Sequence, residues 1–385
     1  MTPSIAWIGG ANGTVLRTTN SGTDWFSVGG GTIGSGKIYS VDALNDSVAF
    51  VTTTHSSSTY IFRTTNSGTN WTQVYSLSGG FINAIWMLDE TTGMAFGDPV
   101  GGKFVILKTT DAGQTWNRIL TEPSANANEY GLERSLCIRD NTLIWFGTSS
   151  GRIIKSTDLG VTWSASTTLL TNGVITVWFN DNSVGLIAGV KSDQTAGLGK
   201  SIDSGKSWQI IPGNYRRVTG DGYKKFFGNQ GGGSLIYQSP DTSFTWTFAF
   251  NAADIIRDIN IRRINSENFG WAVGSTGTIS RYLENIPTSA EKVTSKIVYD
   301  FSLSQNFPNP FNPSTTISYD LPKSEFVTMK VYDMLGREVA VLLNEEKSAG
   351  SYTVEWNAHN AASGLYIARM RAGDFAKTIK MTLMK

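Results

Sequence analysis

The sequence predicts an all-β protein: a seven-bladed β-propeller followed by a small Ig-like β-sandwich. Three observations lead to this fold class. A segment that ends in tryptophan recurs six times between residues 17 and 246, glycine contributes 41 of the 385 residues, and the sequence pattern changes abruptly after residue 285. Abundant glycine together with threonine, serine and tryptophan is typical of β-sheets joined by tight turns.

The recurring segment reads RTTNSGTDW in its first copy. The six copies occupy residues 17–25, 63–71, 108–116, 155–163, 200–208 and, in a weakened form, 238–246. Their closing tryptophans lie 46, 45, 47, 45 and 38 residues apart. A period in the forties indicates four-stranded units that stack as the blades of a propeller.

Each unit contains four predicted strands, and the recurring segment forms the turn between the third and the fourth. The first unit begins at its second strand, and the last unit, at residues 258–285, stops after its third. The count is 26 strands, two short of seven complete blades. We predict seven blades, with a six-bladed ring as the alternative. We also expect that Met1 is not the natural start, and that a signal peptide and an inner strand precede it, because MTPSIAWIGG lacks the pattern of a signal peptide.

The residues of the recurring turn have predictable structural roles. A carboxylate or amide oxygen accepts backbone N–H groups, a glycine adopts positive φ, and the tryptophan packs between neighbouring sheets. The acceptors are Asn20, Asn66, Asp111, Asp158, Asp203 and Asp241. The glycines are Gly22, Gly68, Gly113, Gly160 and Gly205, with Ser243 in the sixth turn, and the tryptophans are Trp25, Trp71, Trp116, Trp163, Trp208 and Trp246.

This pattern resembles the Asp-box, or BNR repeat, written Ser/Thr-x-Asp-x-Gly-x-Thr/Ser-Trp. The resemblance implies that the turns lie on the outer rim of a propeller and are structural rather than catalytic. Proteins with such propellers include sialidases, xyloglucan-type glycosidases, sortilin-like receptors and photosystem II stability factors.

The chain after residue 285 forms two further segments. Residues 286–300 are polar and aperiodic, which predicts a linker between a propeller at 1–285 and a β-sandwich of about seven strands at 301–385. The run QNFPNPFNPSTTI resembles the type A C-terminal sorting domain of the type IX (Por) secretion system. The matching residues include Pro308, Asn309, Pro310, Phe311, Asn312, Pro313, Gly336 and Gly364.

The second resemblance implies where the protein acts. Proteins with this domain cross the outer membrane of Bacteroidota-like bacteria, and the domain is typically removed while the cargo is released or anchored at the surface. We therefore expect an extracellular or outer-membrane-surface protein. Its expected partners are the type IX machinery and a sortase-like peptidase, which would recognise residues 301–385.

Composition excludes several functions. Charged residues make up 16% of the chain and the net charge is +1, so neither nucleic acid nor an anionic membrane is an expected partner. Cys137 is the single cysteine, and His55 and His359 lie in different predicted domains, so we predict no metal, no cofactor and no histidine-based catalysis. No stretch approaches the ~20 apolar residues of a membrane helix.

We expect no enzymatic activity. The Arg-Ile-Pro motif of sialidases is absent, and xyloglucan hydrolases use two propellers where this chain predicts one. The alternative is a glycoside hydrolase, whose two carboxylates would have to lie about 5–10 Å apart. Its candidates are Asp98, Glu129, Asp193 and Asp221. A third possibility, an assembly factor for a membrane complex, follows from the resemblance to photosystem II stability factors.

The preferred function is a binding module for a glycan, peptide or protein. Five arginines on the predicted inner strands could bind an anion in the axial channel: Arg134, Arg216, Arg217, Arg262 and Arg263. Because strand residues alternate between faces, only one of each adjacent pair can point into the channel. Alternatively, the arginines pack against tryptophan or pair with Asp42, Glu133 or Asp258. Glu129 and Tyr130, in the loop at 122–131, are a second candidate contact.

Overall fold

The computed structural model describes residues 4–240, 245–252, 254–264, 267–284, 297–298, 301–347 and 350–384. Within these ranges every regular element is a β-strand except one 3₁₀ turn at Gly31–Ile33, so the predicted all-β class is confirmed. The chain divides into two compact units, the first formed by Met1–Thr14 and Gly30–Thr294 and the second by Val15–Gly29 and Ser295–Lys385. No helix in the described part of the chain is long and apolar enough to cross a membrane.

The first unit contains strand β1 (Ala6–Gly9) and, among the described residues, five four-stranded sheets and one three-stranded sheet. The four-stranded sheets are β4 (Ile38–Ala43), β5 (Ala49–His55), β6 (Ser58–Thr64) and β7 (Thr72–Ser78); β8 (Ile82–Met87), β9 (Gly93–Val100), β10 (Lys103–Thr109) and β11 (Asn117–Arg118); β12 (Gly131–Arg139), β13 (Leu143–Thr148), β14 (Arg152–Ser156) and β15 (Ser164–Thr167); β16 (Val174–Phe179), β17 (Gly185–Val190), β18 (Ala196–Ser201) and β19 (Gln209–Ile211); and β20 (Tyr215–Gly220), β21 (Lys225–Gln230), β22 (Leu235–Pro240) and β23 (Thr247–Asn251). The three-stranded sheet is β24 (Ile256–Ile264), β25 (Glu267–Gly274) and β26 (Ile279–Leu283).

Within each of these six sheets the strands pair antiparallel in chain order, as expected for consecutive hairpins. The first strand of each sheet contacts the first strand of the next, from β4 through β8, β12, β16 and β20 to β24. β1 contacts β4, and the second strands β5, β13 and β17 likewise contact β8, β16 and β20. In the sequence pattern, β1 is the second strand of the first repeat unit.

Apolar side chains fill the space between successive sheets. Phe96 and Phe104 of one sheet pack against Phe146 of the next, with ring centroids 5.6 and 5.2 Å apart. Trp145 stacks on Phe179 of the following sheet at 4.0 Å. These aromatic contacts are the pairs that sheet-on-sheet packing favours, because large flat side chains exclude water over a wide area.

The recurring turn is built in the same way in its first five copies. The opening hydroxyl accepts a hydrogen bond from the glycine N–H, at 2.8–3.0 Å, and donates one to the Asn or Asp oxygen. That oxygen accepts the backbone N–H four residues later, also at 2.8–3.0 Å, as the sequence predicted. The hydroxyl residues are Thr18, Thr64, Thr109, Ser156 and Ser201. Asp241 and Ser243 of the sixth copy lie outside the described residues.

Glycine is required in this turn for both conformation and space. Its φ lies between 72° and 86° in the five copies. At Gly113 a Cβ atom would also collide with the ring of Phe50 in the preceding sheet. Trp116 packs edge-on against the same ring, with centroids 6.2 Å apart, so this turn fixes the spacing between two sheets.

The second unit includes a short sheet and a larger sandwich. In the short sheet β2 (Val15–Thr18) pairs antiparallel with β3 (Trp25–Ser27), and β27 (Ile297–Val298) pairs parallel with β3. Two sheets with the strand orders β28-β29-β32 and β31-β30-β33-β34 share one apolar core around Ile317, Val331 and Met370. Their strands are β28 (Ser302–Leu303), β29 (Ser314–Leu321), β30 (Glu325–Asp333), β31 (Glu338–Lys347), β32 (Gly350–Asn357), β33 (Gly364–Ala372) and β34 (Phe375–Leu383).

The predicted linker at 286–300 lies outside the described residues except for β27. The proline-rich run that follows is held by Asn306, whose buried amide nitrogen donates to Pro308 O at 3.0 Å and to Thr315 Oγ1 at 2.9 Å. The predicted domain boundaries, the number of blades and the Ig-like topology stay predictions.

The hydroxyl of the recurring turn predicts a stability effect. Thr109→Val keeps the shape of the side chain but leaves the buried Gly113 N–H without its acceptor, so we expect a loss of about 1–3 kcal/mol in the free energy of unfolding, measured by urea denaturation. Thr142→Val, at an exposed threonine of another turn, is the matched control. Equal unfolding midpoints for the two variants would contradict the proposed role.

Candidate functional site

A cavity of about 320 Å³ lies in the first unit. The first strands β4, β8, β12, β16, β20 and β24 contribute to its wall, together with β1 and β25. Because the first strand of each of these six sheets contributes to the wall, residues that are distant in sequence meet in this cavity. Arg134, Asp42, Asp258 and Arg262 are the charged residues that line it.

Arg262 carries the most unusual environment in the cavity. Its guanidinium lies 4.6 Å from the ring centroid of Trp178 and 5.6 Å from that of Trp86. Burial lowers the pKa of Arg262, and its Nη1 atom is buried with no hydrogen-bond partner among the described residues. Cation–π contacts stabilise the charge, but they do not satisfy an N–H donor. The arrangement therefore offers a hydrogen bond and a positive charge to an anion.

Asp42 supplies the opposite charge from the neighbouring wall. Its Oδ2 accepts the backbone N–H of Met87 at 2.6 Å. Burial raises the pKa of the Asp42 carboxyl to about 6, against the lowering effects of backbone hydrogen bonds and of the Arg262 charge. Near neutral pH this residue can therefore gain or lose a proton, and the charge balance of the cavity changes with it.

Arg134 is engaged within the protein. Its Nη1 lies 3.0 Å from Asp258 Oδ2, and its Nε donates to Tyr39 O at 3.3 Å. It also adopts a φ of 64°, which is uncommon for a residue with a side chain. Arg134 thus follows the alternative proposed from sequence, pairing with Asp258, although it remains part of the cavity wall.

The other predicted arginines do not line the cavity. Arg216 is exposed, and burial lowers the pKa of Arg217. Arg263 lies over the ring of Tyr223 at 4.8 Å and 4.0 Å from Asp221. Of the adjacent pair at 262 and 263, one side chain faces the cavity, as strand alternation requires, but neither member of the pair at 216 and 217 does so.

Glu129 and Tyr130 differ sharply in their surroundings. The Glu129 side chain is 0% exposed and forms an ion pair with Arg152, and it also accepts hydrogen bonds from Ser150 and from the backbone of Asn126. Burial acts to raise its pKa, but these bonds lower it to about 2. Tyr130 is 51% exposed. The loop at 122–131 is therefore anchored by a buried carboxylate and presents an aromatic ring.

Of the remaining candidate carboxylates, Asp98 lies in β9 and is bonded to residues of two other strands, whereas Asp193 and Asp221 are bonded within their own loops. Asp98 accepts from Asn83 Nδ2 at 2.8 Å and from Gly131 N at 3.0 Å, and burial raises its pKa. Asp193 accepts from Thr195, and Asp221 accepts three consecutive backbone N–H groups at 2.8–3.0 Å. The bonds of Asp193 and Asp221 are of the kind that favours aspartate in turns, although Asp221 Oδ2 is buried with no hydrogen-bond partner among the described residues.

Sequence reasoning missed the two tryptophans that flank Arg262. Trp86 and Trp178 are each the fifth residue of a six-residue first strand, in INAIWM and VITVWF. The shared register position was a usable signal, because equivalent positions of successive first strands approach one another. It was obscured by the more conspicuous tryptophans of the recurring turn.

Comparison with known proteins identifies the C-terminal part of the chain. Residues 305–384 match the family described as the secretion system C-terminal sorting domain. This match indicates export to the cell surface or extracellular space through the Por, or type IX, secretion system. No curated protein matches the chain.

Solved structures show the fold of the remainder. YCF48 bound to D1 peptide is similar with a TM-score of 0.53 and 14% identity, over 73% of this chain and 90% of that one. The β-propeller domain of Myceliophteria thermophila Cps50 (Swd1) gives a TM-score of 0.51 and 8% identity, over 74% and 94% of the two chains. The alignment with a GH74 enzyme of Niastella koreensis covers 94% of this chain and 74% of the enzyme, at 13% identity. Its TM-score of 0.33 is too low to indicate a shared fold. The chain therefore has a propeller-like fold.

The raised pKa of Asp42 predicts a pH-dependent stability. Its folded pKa of about 6 exceeds the ordinary aspartate pKa of 3.8, so the folded state retains a proton that the unfolded state releases, and stability falls as pH rises between these values. Asp42→Asn lacks this proton release while keeping an oxygen for Met87 N–H. Relative to the wild type, we expect the variant to gain about 1–3 kcal/mol between pH 4 and pH 7.5, measured by urea unfolding. Asp46→Asn, in an exposed turn, should show no such change.

Proposed function

We propose that this protein is an exported binding module whose central cavity binds an anionic group, in the first instance a carboxylate. The observation that carries the proposal is the half-buried Arg262, whose Nη1 atom is buried with no hydrogen-bond partner among the described residues and whose guanidinium lies beside two tryptophan rings. A desolvated guanidinium holds a carboxylate through charge-assisted hydrogen bonds, which are stronger than neutral ones. A cavity of about 320 Å³ has room for the end of a peptide or an acidic sugar.

Asp42 makes the proposed binding dependent on pH. When its carboxyl is protonated, Asp42 carries no charge that opposes a carboxylate bound at Arg262. When it ionises, with a pKa of about 6, it repels the same ligand. Binding should therefore be tighter at pH 5 than at pH 7.5, because a ligand carboxylate with a pKa of about 4 stays ionised throughout this range.

A peptide is the ligand class to examine first. YCF48, one of the similar solved structures, carries a peptide by its own description. A glycan or the surface of a folded protein are the other classes that the sequence suggested. The exposed ring of Tyr130 lies on an anchored loop and does not line this cavity, so it is a separate candidate contact.

The finer description of the fold also belongs to this proposal. We propose a seven-bladed propeller of the Asp-box type, with six blades as the alternative, and an Ig-like sandwich at 301–385. The sandwich would direct the chain to the type IX machinery, be removed by a sortase-like peptidase, and leave the propeller free or attached at the surface. Asp98, Glu129, Asp193 and Asp221 receive no catalytic role in this proposal, because each carboxylate accepts hydrogen bonds from nearby groups of the protein. Turnover of generic glycosides abolished by changing one of them would favour the hydrolase alternative.

Ligand binding can be tested with a minimal probe. The peptide acetyl-Gly-Gly-Ala with a free carboxylate should bind, and its C-terminal amide should not, as followed by tryptophan fluorescence because Trp86 and Trp178 flank the site. Arg262→Gln should weaken binding at least tenfold, since a hydrogen bond to a charged group contributes about 1.5–3 kcal/mol. Arg216→Gln is the matched control at an exposed arginine. Equal affinity for acid and amide would refute the proposal.

Export can be tested in a bacterium that has a type IX system. The full chain preceded by a signal peptide should reach the medium or the cell surface, whereas a version that lacks residues 301–385 should stay in the periplasm. Mass spectrometry of the exported form should find a C-terminus between residues 285 and 300. An exported protein that retains residue 385 would exclude cleavage, and equal export of the shortened version would exclude the sorting role.

A further inference from the structure

One first strand departs from the pattern of the others where it lines the cavity. In β4, β8, β16, β20 and β24 the pairing with the second strand skips a single residue, which makes an ordinary β-bulge. In β12 the pairing passes from Gly131 directly to Leu136, so that residues 132–135 lie opposite the single residue Gly147 of β13. The enlarged bulge therefore carries this part of β12 away from its own sheet.

Both ends of the enlarged bulge are anchored to neighbouring strands. Gly131 N donates to Asp98 Oδ1 at 3.0 Å, and the buried hydroxyl of Ser135 donates to Val174 O at 2.7 Å. Residues 132–134, between these anchors, are only half-buried. A segment of three residues that is fixed at both ends can move while the pairing of β12 from Leu136 onward stays in place.

Ion pairs hold this segment across the cavity. Arg134 Nη1 lies 3.0 Å from Asp258 Oδ2 of β24, and Arg134 Nε donates to Tyr39 O of β4 at 3.3 Å. Lys37 Nζ, one residue before β4, lies 3.1 Å from Glu133 Oε2. In the series of first strands, β8 lies between β4 and β12, and β16 and β20 lie between β12 and β24. These contacts therefore cross from one wall of the cavity to another, rather than joining neighbouring strands.

The ion pairs lie between the cavity and solvent. Arg134 and Asp258 line the cavity, whereas Lys37 and Glu133 do not, and all four side chains are 26–49% exposed. Ion pairs that are this exposed contribute little to stability, because water and salt screen them and two side chains lose freedom. Arg134 also has a φ of 64°, which is unfavourable for a residue with a side chain. The contacts that hold the segment are therefore weak enough to break without unfolding.

We propose that residues 132–134 form a lid over one end of the cavity, and that the lid controls the passage of ligand to Arg262. It opens when the Arg134–Asp258 and Lys37–Glu133 pairs break. This inference deepens the proposed function, on which it rests for the ligand itself. An anionic ligand promotes opening, because its carboxylate can replace that of Asp258 as the partner of Arg134.

The lid and simple electrostatic attraction make opposite predictions for Lys37→Met in the full chain. If attraction alone decides, removal of a positive charge near the cavity should slow the association of an anion. If the lid controls passage, loss of the Lys37–Glu133 pair should raise both the association and the dissociation rate of acetyl-Gly-Gly-Ala about two- to fivefold, with little change in Kd. Stopped-flow tryptophan fluorescence measures both rates. Lys103→Met, at an exposed lysine of β10, is the matched control and should accelerate neither.

Hydrogen exchange tests the lid without any ligand. In Lys37→Met the amides of residues 132–134 should exchange about two- to fivefold faster than in the wild type, because the closed lid has lost one of its ion pairs. The amides of β13, in the same sheet, should not change. Unchanged exchange of residues 132–134 would overturn the inference, and so would rates of association and dissociation that are equal to or below those of the wild type.

The two proposals fail separately. Binding of acetyl-Gly-Gly-Ala that depends on Arg262 but has the same rates in Lys37→Met would remove the lid and leave the carboxylate site. If the peptide does not bind at all, although residues 132–134 exchange faster in Lys37→Met, the carboxylate site is refuted and the opening of the lid is supported.

Discussion

The first unit depends on one short turn that is made in the same way each time. A hydroxyl and an Asn or Asp oxygen close the turn with hydrogen bonds to backbone N–H groups, as Thr109 and Asp111 do around Gly113. Hydrogen bonds to Asp111, of which those from the backbone and side chain of Thr115 have the largest effect, lower its pKa to about 2. The Asp111 carboxylate therefore stays ionised in all but strong acid. Because Gly113 allows Phe50 of the preceding sheet to approach, the turn between the third and fourth strands of one sheet also sets its distance from another.

Regular turns allow the first strands to converge on one cavity. Their contacts are made partly through backbone groups, as when Ser40 accepts the N–H of Ile85 and Thr176 that of Val218. Such a bond forms only when the next first strand lies at hydrogen-bonding distance, so each first strand helps to set the position of the next. All six first strands, together with β1 and β25, contribute to the wall of that cavity.

The cavity concentrates opposite charges in a poorly hydrated space. Arg262 is stabilised by Trp86 and Trp178 without being fully hydrogen-bonded, and the carboxyl of Asp42 titrates near pH 6 because it is buried. A folded protein rarely leaves a charged donor unsatisfied, and perturbed groups of this kind cluster where ligands bind. A propeller whose sorting domain sends it out of the cell would thus carry a pH-sensitive anion site at its centre.

The sequence by itself determined the all-β class, the positions of the recurring turns and the sorting domain, since each depends on residues close together in the chain. Asn20, Gly22 and Trp25 define such a turn within a few residues, whatever surrounds it. Only the tertiary structure decided which arginine faces the cavity, because the side of the strand on which Arg262 or Arg263 lies is set by how β24 packs against its neighbours. It also decided that Arg134 pairs with Asp258, a residue 124 positions away in the sequence. Local hydrogen bonds can be inferred from a short segment, whereas burial and charge pairing exist only after distant strands have met.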